Sequence, residues 1–202
     1  MKLNPLSNSS PAVALYGGSF DPVHCAHLEV ARAALEQLEL DRVVFIPAAR
    51  SPLKTTATAA SDADRIEMLR MATAGEPGFE VDTSEIERGG TSYTIKTVNA
   101  YRAKYPDYRL HWIIGADQFE LLPQWYRIEE IAAQLTFIVL RRPGYTIEHS
   151  AVSGLKYAAI EAPLMPHSSS GIRAMLAEGR LAEDLLPPTV EAFISSRGLY
   201  TR

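Results

Sequence analysis

Short stretches that are apolar on both faces, each stopped by glycine or proline and separated from the next by a helical repeat, constrain this chain more than any other feature. Ala12–Tyr16 reads AVALY and stops at Gly17-Gly18, Arg42–Ile46 is closed by Pro47, Leu110–Ile114 ends at Gly115, and Thr136–Leu140 is halted by Arg141-Arg142-Pro143-Gly144. Strands of this kind are buried on both sides. Between them, Leu28, Ala31, Leu35 and Leu38 recur at helical spacing within Ala26–Leu38. Ser61 and Asp62 open a helix with Ile66, Leu69 and Thr73 on one face, and Ile95, Val98, Tyr101 and Tyr105 mark a helix over Ser92–Tyr105. Weaker patterns predict strands at Phe79–Asp82, Glu85–Arg88 and Tyr157–Ala162. They also predict helical segments near Asp117–Leu122 and Arg127–Leu135, and helices over Ser169–Ala177 and Pro188–Ser196 with Gly198 as the stop. The alternation predicts an α/β fold, a parallel sheet flanked by helices with a small C-terminal helical part. In such sheets ligands bind beyond the carboxyl ends of the strands, here the turns after Tyr16, Ile46, Ile114 and Leu140.

A chain of 202 residues, 47% hydrophobic and 22% charged, can bury one substantial core. We expect a single domain over residues 12–202, preceded by a polar, disordered lead-in at 1–11 that lacks the apolar segment of a signal peptide. The single cysteine, Cys25, excludes an internal disulfide and a cysteine-based zinc site, and fits a reducing compartment. No apolar run reaches the roughly 18 residues of a membrane span, so the expected location is the cytoplasm. A net charge of −4 without a basic stripe argues against a nucleic-acid partner, an RNA-binding module included, and against an anionic membrane.

The turn after the first strand reads Gly17-Gly18-Ser19-Phe20-Asp21-Pro22-Val23-His24-Cys25-Ala26-His27. Two glycines let backbone N–H groups approach a ligand, and the next helix presents its N-terminus to an anion. His24 and His27 lie three residues apart, on one side of the first helical turn. A bare pair of this kind serves equally as an ordinary helix start or as two ligands of a metal. Behind a strand and Gly-Gly, it points instead to phosphate, where imidazoles donate hydrogen bonds. Neither the Walker A pattern nor the Gly-x-Gly-x-x-Gly fingerprint is present.

Far downstream, His167-Ser168-Ser169-Ser170-Gly171-Ile172-Arg173 opens a helix. One serine suffices as the cap. Three hydroxyls, free amides and Arg173 one turn in also suit a polyphosphate chain. Gly115 and Asp117 follow the central strand, and Asp117 suits ribose hydroxyls or a helix N-cap. Trp125 suits a stack on an aromatic base or a place in the core. Thr94, after Ser92-Tyr93, suits a polar ring substituent or simple capping.

Taken together, the first turn and the serine segment resemble the nucleotidyltransferase superfamily with the His-x-Gly-His signature, with Ala26 in place of its glycine, His167 in place of an isoleucine and Ser170 in place of a threonine. Ser92-Tyr93-Thr94, Ile114-Gly115-Ala116-Asp117-Gln118, Trp125-Tyr126-Arg127, Arg141-Arg142-Pro143-Gly144 and the ending Gly198-Leu199-Tyr200 narrow the resemblance to bacterial nicotinate-nucleotide adenylyltransferases. It runs over nearly the whole chain from Ala12. The resemblance implies a Rossmann-like fold and the reaction of ATP with nicotinate mononucleotide, giving nicotinate adenine dinucleotide and pyrophosphate. Carried over residue by residue, His24, His27 and Arg173 are catalytic. Gly17, Gly18, Ser19, Phe20, Gly115, Asp117, Ser168, Ser169 and Ser170 serve ATP, and Lys54, Tyr93, Thr94, Trp125 and Arg142 serve the mononucleotide. Mg²⁺ would be held mainly by the ATP phosphates, with no protein metal site. Cys25 is expected to be a small packed residue, not a nucleophile. The alternatives are another member of the superfamily, such as a phosphopantetheine or glycerol-phosphate nucleotidyltransferase, and a nucleotide sensor without catalysis.

Overall fold

The computed structural model describes residues 10–52, 56–145, 147, 151–163, 165 and 167–201. Of the expected lead-in, only Ser10 and Pro11 fall among them. The Ser10 carbonyl accepts from the Arg109 side chain at 3.1 Å, and the Pro11 carbonyl accepts from the Arg109 backbone N–H at 2.8 Å.

The elements alternate as the sequence pattern requires. β1 (Ala12–Gly18) leads to α1 (Cys25–Gln37), β2 (Arg42–Pro47), α2 (Asp62–Thr73), β3 (Phe79–Val81), α3 (Ser84–Arg88) and α4 (Thr94–Lys104). Then come β4 (Arg109–Gly115), α5 (Ala116–Glu120), a 3₁₀ turn at Leu122–Gln124, α6 (Ile128–Ala132), β5 (Thr136–Leu140), β6 (Tyr157–Ile160), α7 (Ser169–Ala177) and α8 (Pro188–Arg197). The six strands form one sheet in the order β3-β2-β1-β4-β5-β6, and every neighbouring pair is parallel. Leu15 stands beside Val44 on one side and Trp112 on the other. β1 is therefore the strand from which the sheet grows in both directions, and a crevice opens beyond its carboxyl end.

Alternate side chains of each strand feed opposite cores. Ala12, Ala14, Val43, Phe45, Ile113, Ile138 and Ile160 face Leu28 and Ala31 of α1, Met68 and Leu69 of α2, Ile172 of α7, and Val190 and Ile194 of α8. Val13, Leu15, Val44, Ile46, Trp112, Ile114, Phe137 and Val139 face Ile95 and Val98 of α4, Phe119 of α5, and Ile128 and Ile131 of α6. The small C-terminal helical part, α7 and α8, thus closes the first of these cores. Gly198 ends α8 in the left-handed conformation, φ 59°, as predicted.

Several local expectations are corrected. Glu85–Arg88 is part of a helix, not a strand. The Asp82 carboxylate accepts from the Ser84 N–H at 2.8 Å and turns the chain into α3, while Glu85 is buried and accepts from the Thr97 hydroxyl. The helix expected from Ser92 starts at Thr94, because Ser92 is held by the 48–50 loop. Its N–H donates to the Arg50 carbonyl at 2.8 Å, and its Oγ accepts from the Ala49 N–H at 3.0 Å. On α2, Met68 rather than Ile66 joins Leu69 and Thr73 in the interior.

Candidate active site

Beyond the carboxyl ends of β1, β4 and β5 lies one large cavity of about 1580 Å³, lined by residues from both halves of the chain. At its back, β1 passes into the turn through two glycines. A Cβ on Gly17 would stand 2.6 Å from the Trp112 ring, and one on Gly18 would stand 2.9 Å from the Phe20 ring. The glycines are therefore required by packing as well as by any approach of ligand to backbone. Phe20 is buried, in the left-handed region with φ 47°. It packs edge-on against Tyr16 and His27, at 5.6 and 5.0 Å between ring centroids.

α1 begins with His24 as its N-cap residue. The backbone N–H of His24 donates to Nδ1 of His27 at 3.2 Å, which leaves Nε2 of a neutral His27 as the proton-bearing nitrogen. His24 is 5% exposed, and its Nδ1 is buried without a hydrogen-bond partner. Burial first, then the charges of His167 and Arg142, push its pKa down to about 4. His24 is therefore neutral at pH 7 in the ligand-free protein. Both imidazoles line the cavity, as does Ala26. Cys25 does not. It borders a separate, smaller pocket with Glu183 and Asp184, and burial, with Glu29 nearby, raises its thiol pKa.

The serine segment is carried to this turn by side-chain bonds. Ser168 caps α7, accepting from the Gly171 N–H at 3.2 Å. Ser169 donates to the Pro22 carbonyl at 2.9 Å. Arg173 donates to the Asp21 carbonyl at 2.7 Å and, more weakly, to the Ser170 hydroxyl at 3.3 Å. Two turns far apart in sequence, with Asp21 and Arg173 separated by 152 positions, thus meet at one wall, and His167, Ser168, Ser169, Ser170 and Arg173 all line the cavity.

On the β4 side, Gly115 is the N-cap of α5, and Asp117 lies in its first turn with the Arg142 guanidinium 3.7 Å away. The N-cap position open to Asp117 in sequence is thus taken by Gly115, and Asp117 lies within the helix. Thr94 likewise follows Tyr93, the N-cap residue of α4, with no side-chain cap. Trp125 is half-buried, edge-on to Phe137 at 6.2 Å. Its indole N–H is buried without an acceptor. Tyr93 and the exposed Tyr126 pair at 4.9 Å between ring centroids. Gly115, Asp117, Tyr93, Thr94, Trp125 and Arg142 line the same cavity. Lys54 lies outside the described residues.

Sequence reasoning passes over the residues that hold these walls together. Arg65 is wholly buried, donating to the Ser19 carbonyl at 2.6 Å and the Ala48 carbonyl at 2.8 Å and pairing with Asp62 at 2.6 Å. Asp21 is 3% exposed and accepts from the Ala59 and Ala60 N–H groups at 2.7 and 3.0 Å. A carboxylate fixed inside the Gly-Ser-Phe-Asp-Pro stretch was the only available signal. Among the described residues, no group of three or more His, Cys, Asp or Glu side chains is placed to hold a metal ion.

The model of the cytidylyltransferase-like family matches residues 15–175. A protein of Geobacillus thermodenitrificans described as a probable nicotinate-nucleotide adenylyltransferase is 37% identical over 188 residues, 93% of this chain and 85% of its own. A Gloeobacter violaceus protein of the same description is 39% identical over 196 residues, covering 93% and 95%. The chain belongs to the nicotinate-nucleotide adenylyltransferase family. The fold of the Plasmodium falciparum nicotinic acid mononucleotide adenylyltransferase, solved in complex with NaAD, matches with a TM-score of 0.75 at 19% identity, over 94% of this chain and 97% of the other. In this nicotinate-nucleotide adenylyltransferase-family chain, the matched span takes in both the His24–His27 turn and the serine segment through Arg173. Among the described residues, no helix is long and apolar enough to cross a membrane.

Proposed function

We propose that this chain transfers the adenylyl group of ATP to the 5′-phosphate of nicotinate mononucleotide, forming nicotinate adenine dinucleotide and releasing pyrophosphate, a step of NAD biosynthesis. The observation that carries this reading is the bond from Arg173 to the Asp21 carbonyl, which puts a guanidinium beside the two imidazoles on one cavity wall.

A 5′-phosphate oxygen attacks the α-phosphorus in line, the bond from that phosphorus to the β-bridging oxygen breaks, and its electron pair leaves with pyrophosphate. The protein's part is positioning and neutralisation of charge. In this reading His24 and His27 donate to the α-phosphoryl oxygens, and Arg173 takes the β- and γ-phosphates with Ser168, Ser169 and Ser170. The backbone of Gly17, Gly18, Ser19 and Phe20 lies along the triphosphate, and Gly115 and Asp117 serve the adenosine. Trp125 stacks on the pyridine ring, with Tyr93, Thr94 and Arg142 around the mononucleotide. A neutral His24 in the free protein acts first as a hydrogen-bond donor, and an arriving anion favours its protonated form. Magnesium enters with ATP as part of the substrate, held by phosphate oxygens and water. The lining carboxylates Asp21 and Asp117 already face Arg173 and Arg142 at 3.7 Å. A cytoplasmic enzyme is the setting that fits ATP as substrate and a lone cysteine.

Pyrophosphate release should be measured with ATP, Mg²⁺ and each candidate acceptor in turn. Release with nicotinate mononucleotide is expected. Turnover only with another phosphate acceptor would move the chain to a different member of the superfamily, and ATP binding without release would make it a sensor.

A further inference from the structure

Besides the Ala59 and Ala60 amides, two side chains meet the Asp21 carboxylate. Arg173 approaches one carboxylate oxygen at 3.7 Å, and the hydroxyl of Tyr200 donates to the other at 2.8 Å. Tyr200 comes from beyond α8, a separation of 179 positions, and its backbone occupies the left-handed region at φ 63°. That conformation is uncommon for a bulky residue and persists where surrounding contacts enforce it. Here the enforcing contacts are in view. Gly198 turns the chain at the end of α8, Arg197 bonds Asp64 of α2 at 3.1 Å, and Tyr200 packs against the core beneath the sheet. Burial and the Asp21 carboxylate raise the pKa of the Tyr200 hydroxyl far above its usual value, so it remains a donor.

We infer that Tyr200 is a positioning residue, whose hydroxyl draws Asp21 charge away from Arg173 and leaves that guanidinium free to bind the leaving polyphosphate. Three donors, the Ala59 and Ala60 amides and Tyr200, spread the carboxylate charge before Arg173 meets it. Removing the only side-chain hydroxyl among them leaves Oδ1 of the buried Asp21 carboxylate with the Ala60 amide as its single donor, at 3.0 Å. The nearest cation able to answer it is Arg173. The guanidinium then tightens onto Asp21, and the polyphosphate must compete for it. The inference rests on the adenylyl-transfer reading for its kinetic arm.

The test compares Tyr200→Phe, which keeps the ring and its packing, with Arg197→Ala, which loosens the same segment without touching Asp21. Both are assayed at a temperature where they retain wild-type circular dichroism. Tyr200→Phe is expected to raise KM for ATP roughly three- to tenfold, an effect of the size one ordinary hydrogen bond exerts, while KM for nicotinate mononucleotide stays within about twofold. Calorimetric titration with inorganic pyrophosphate should weaken by the same factor. Arg197→Ala should lower the melting temperature and move neither constant. If Tyr200→Phe binds ATP and pyrophosphate as the wild type does, or if Arg197→Ala matches it, the positioning role is overturned. Should the wild type release no pyrophosphate with any acceptor, the adenylyl-transfer reading falls, and the pyrophosphate titration alone still decides the role of Tyr200.

Discussion

His24 and His27 stack with ring centroids 3.8 Å apart and planes tilted by 26°, and the backbone N–H of the first bonds the ring of the second. The pair is one unit, in which moving either imidazole moves the donor edge of the other. On the proposed mechanism, His24→Ala should lower turnover by about 10²–10³-fold, the effect of removing one preorganised donor from a developing charge. Circular dichroism should stay that of the wild type. Near-wild-type pyrophosphate release from the folded variant would remove His24 from the mechanism.

The depressed pKa of His24 links stability to pH. The unfolded chain takes up the proton as pH falls below 6.5, whereas the folded chain does so only near 4. Stability present above pH 6.5 is therefore lost as pH drops through that window, by a full amount on the order of 3 kcal/mol. His24→Gln lacks this proton. Thermal melts at about pH 7.5 and about pH 4 should show the wild type losing more than the variant by that order. Parallel losses would contradict a buried neutral imidazole.

Gly17→Ala places a methyl group against the Trp112 ring. Overpacking of this kind costs about 1–3 kcal/mol. A lower melting temperature with altered tryptophan fluorescence is expected, and an unchanged melt would mean that the Trp112 ring has room to yield.

Arg65 is buried, with one guanidinium nitrogen on the Ser19 carbonyl and the other on the Ala48 carbonyl and the Asp62 carboxylate. Arg65→Met leaves the carbonyls of Ser19 and Ala48 without their donor. A buried acceptor left without its donor costs about 1–3 kcal/mol, so urea denaturation should shift to lower concentration. A variant as stable as the wild type would show that these carbonyls find water instead.

If Trp125 carries the pyridine ring, Trp125→Ala forfeits a stack of about 1–3 kcal/mol, raising KM for the mononucleotide roughly five- to hundredfold while KM for ATP holds. Equal rises in both constants would make Trp125 part of the framework.

The sheet was legible because its strands are apolar on both faces. Thr136–Leu140 and Ser169–Ala177 have in the structure the bounds that their patterns predict. α3 was not legible, since what decides it is the bond from the Ser84 N–H to the Asp82 carboxylate and the burial of Glu85 against Thr97, polar contacts that leave no hydrophobic period. Of the candidate site, two stretches that line the cavity announced themselves as motifs, His24 to His27 and Ser168 to Arg173. Arg65 lay outside every motif, and Asp21 and Tyr200 stood inside motifs without showing their roles, because each acts through a backbone carbonyl, an amide or a partner far along the chain. Such partners exist only once the fold has formed.

The parallel register that sets Leu15 between Val44 and Trp112 has a kinetic corollary. The strand that opens the sheet in sequence is also one of its two central strands, and one of its flanks must stay unpaired until a segment roughly a hundred residues later becomes available. Loop closure over that distance precedes any reward from pairing, and an open apolar edge is the surface on which unfinished chains join one another. Refolding from denaturant should accordingly be slow and its yield should fall as protein concentration rises.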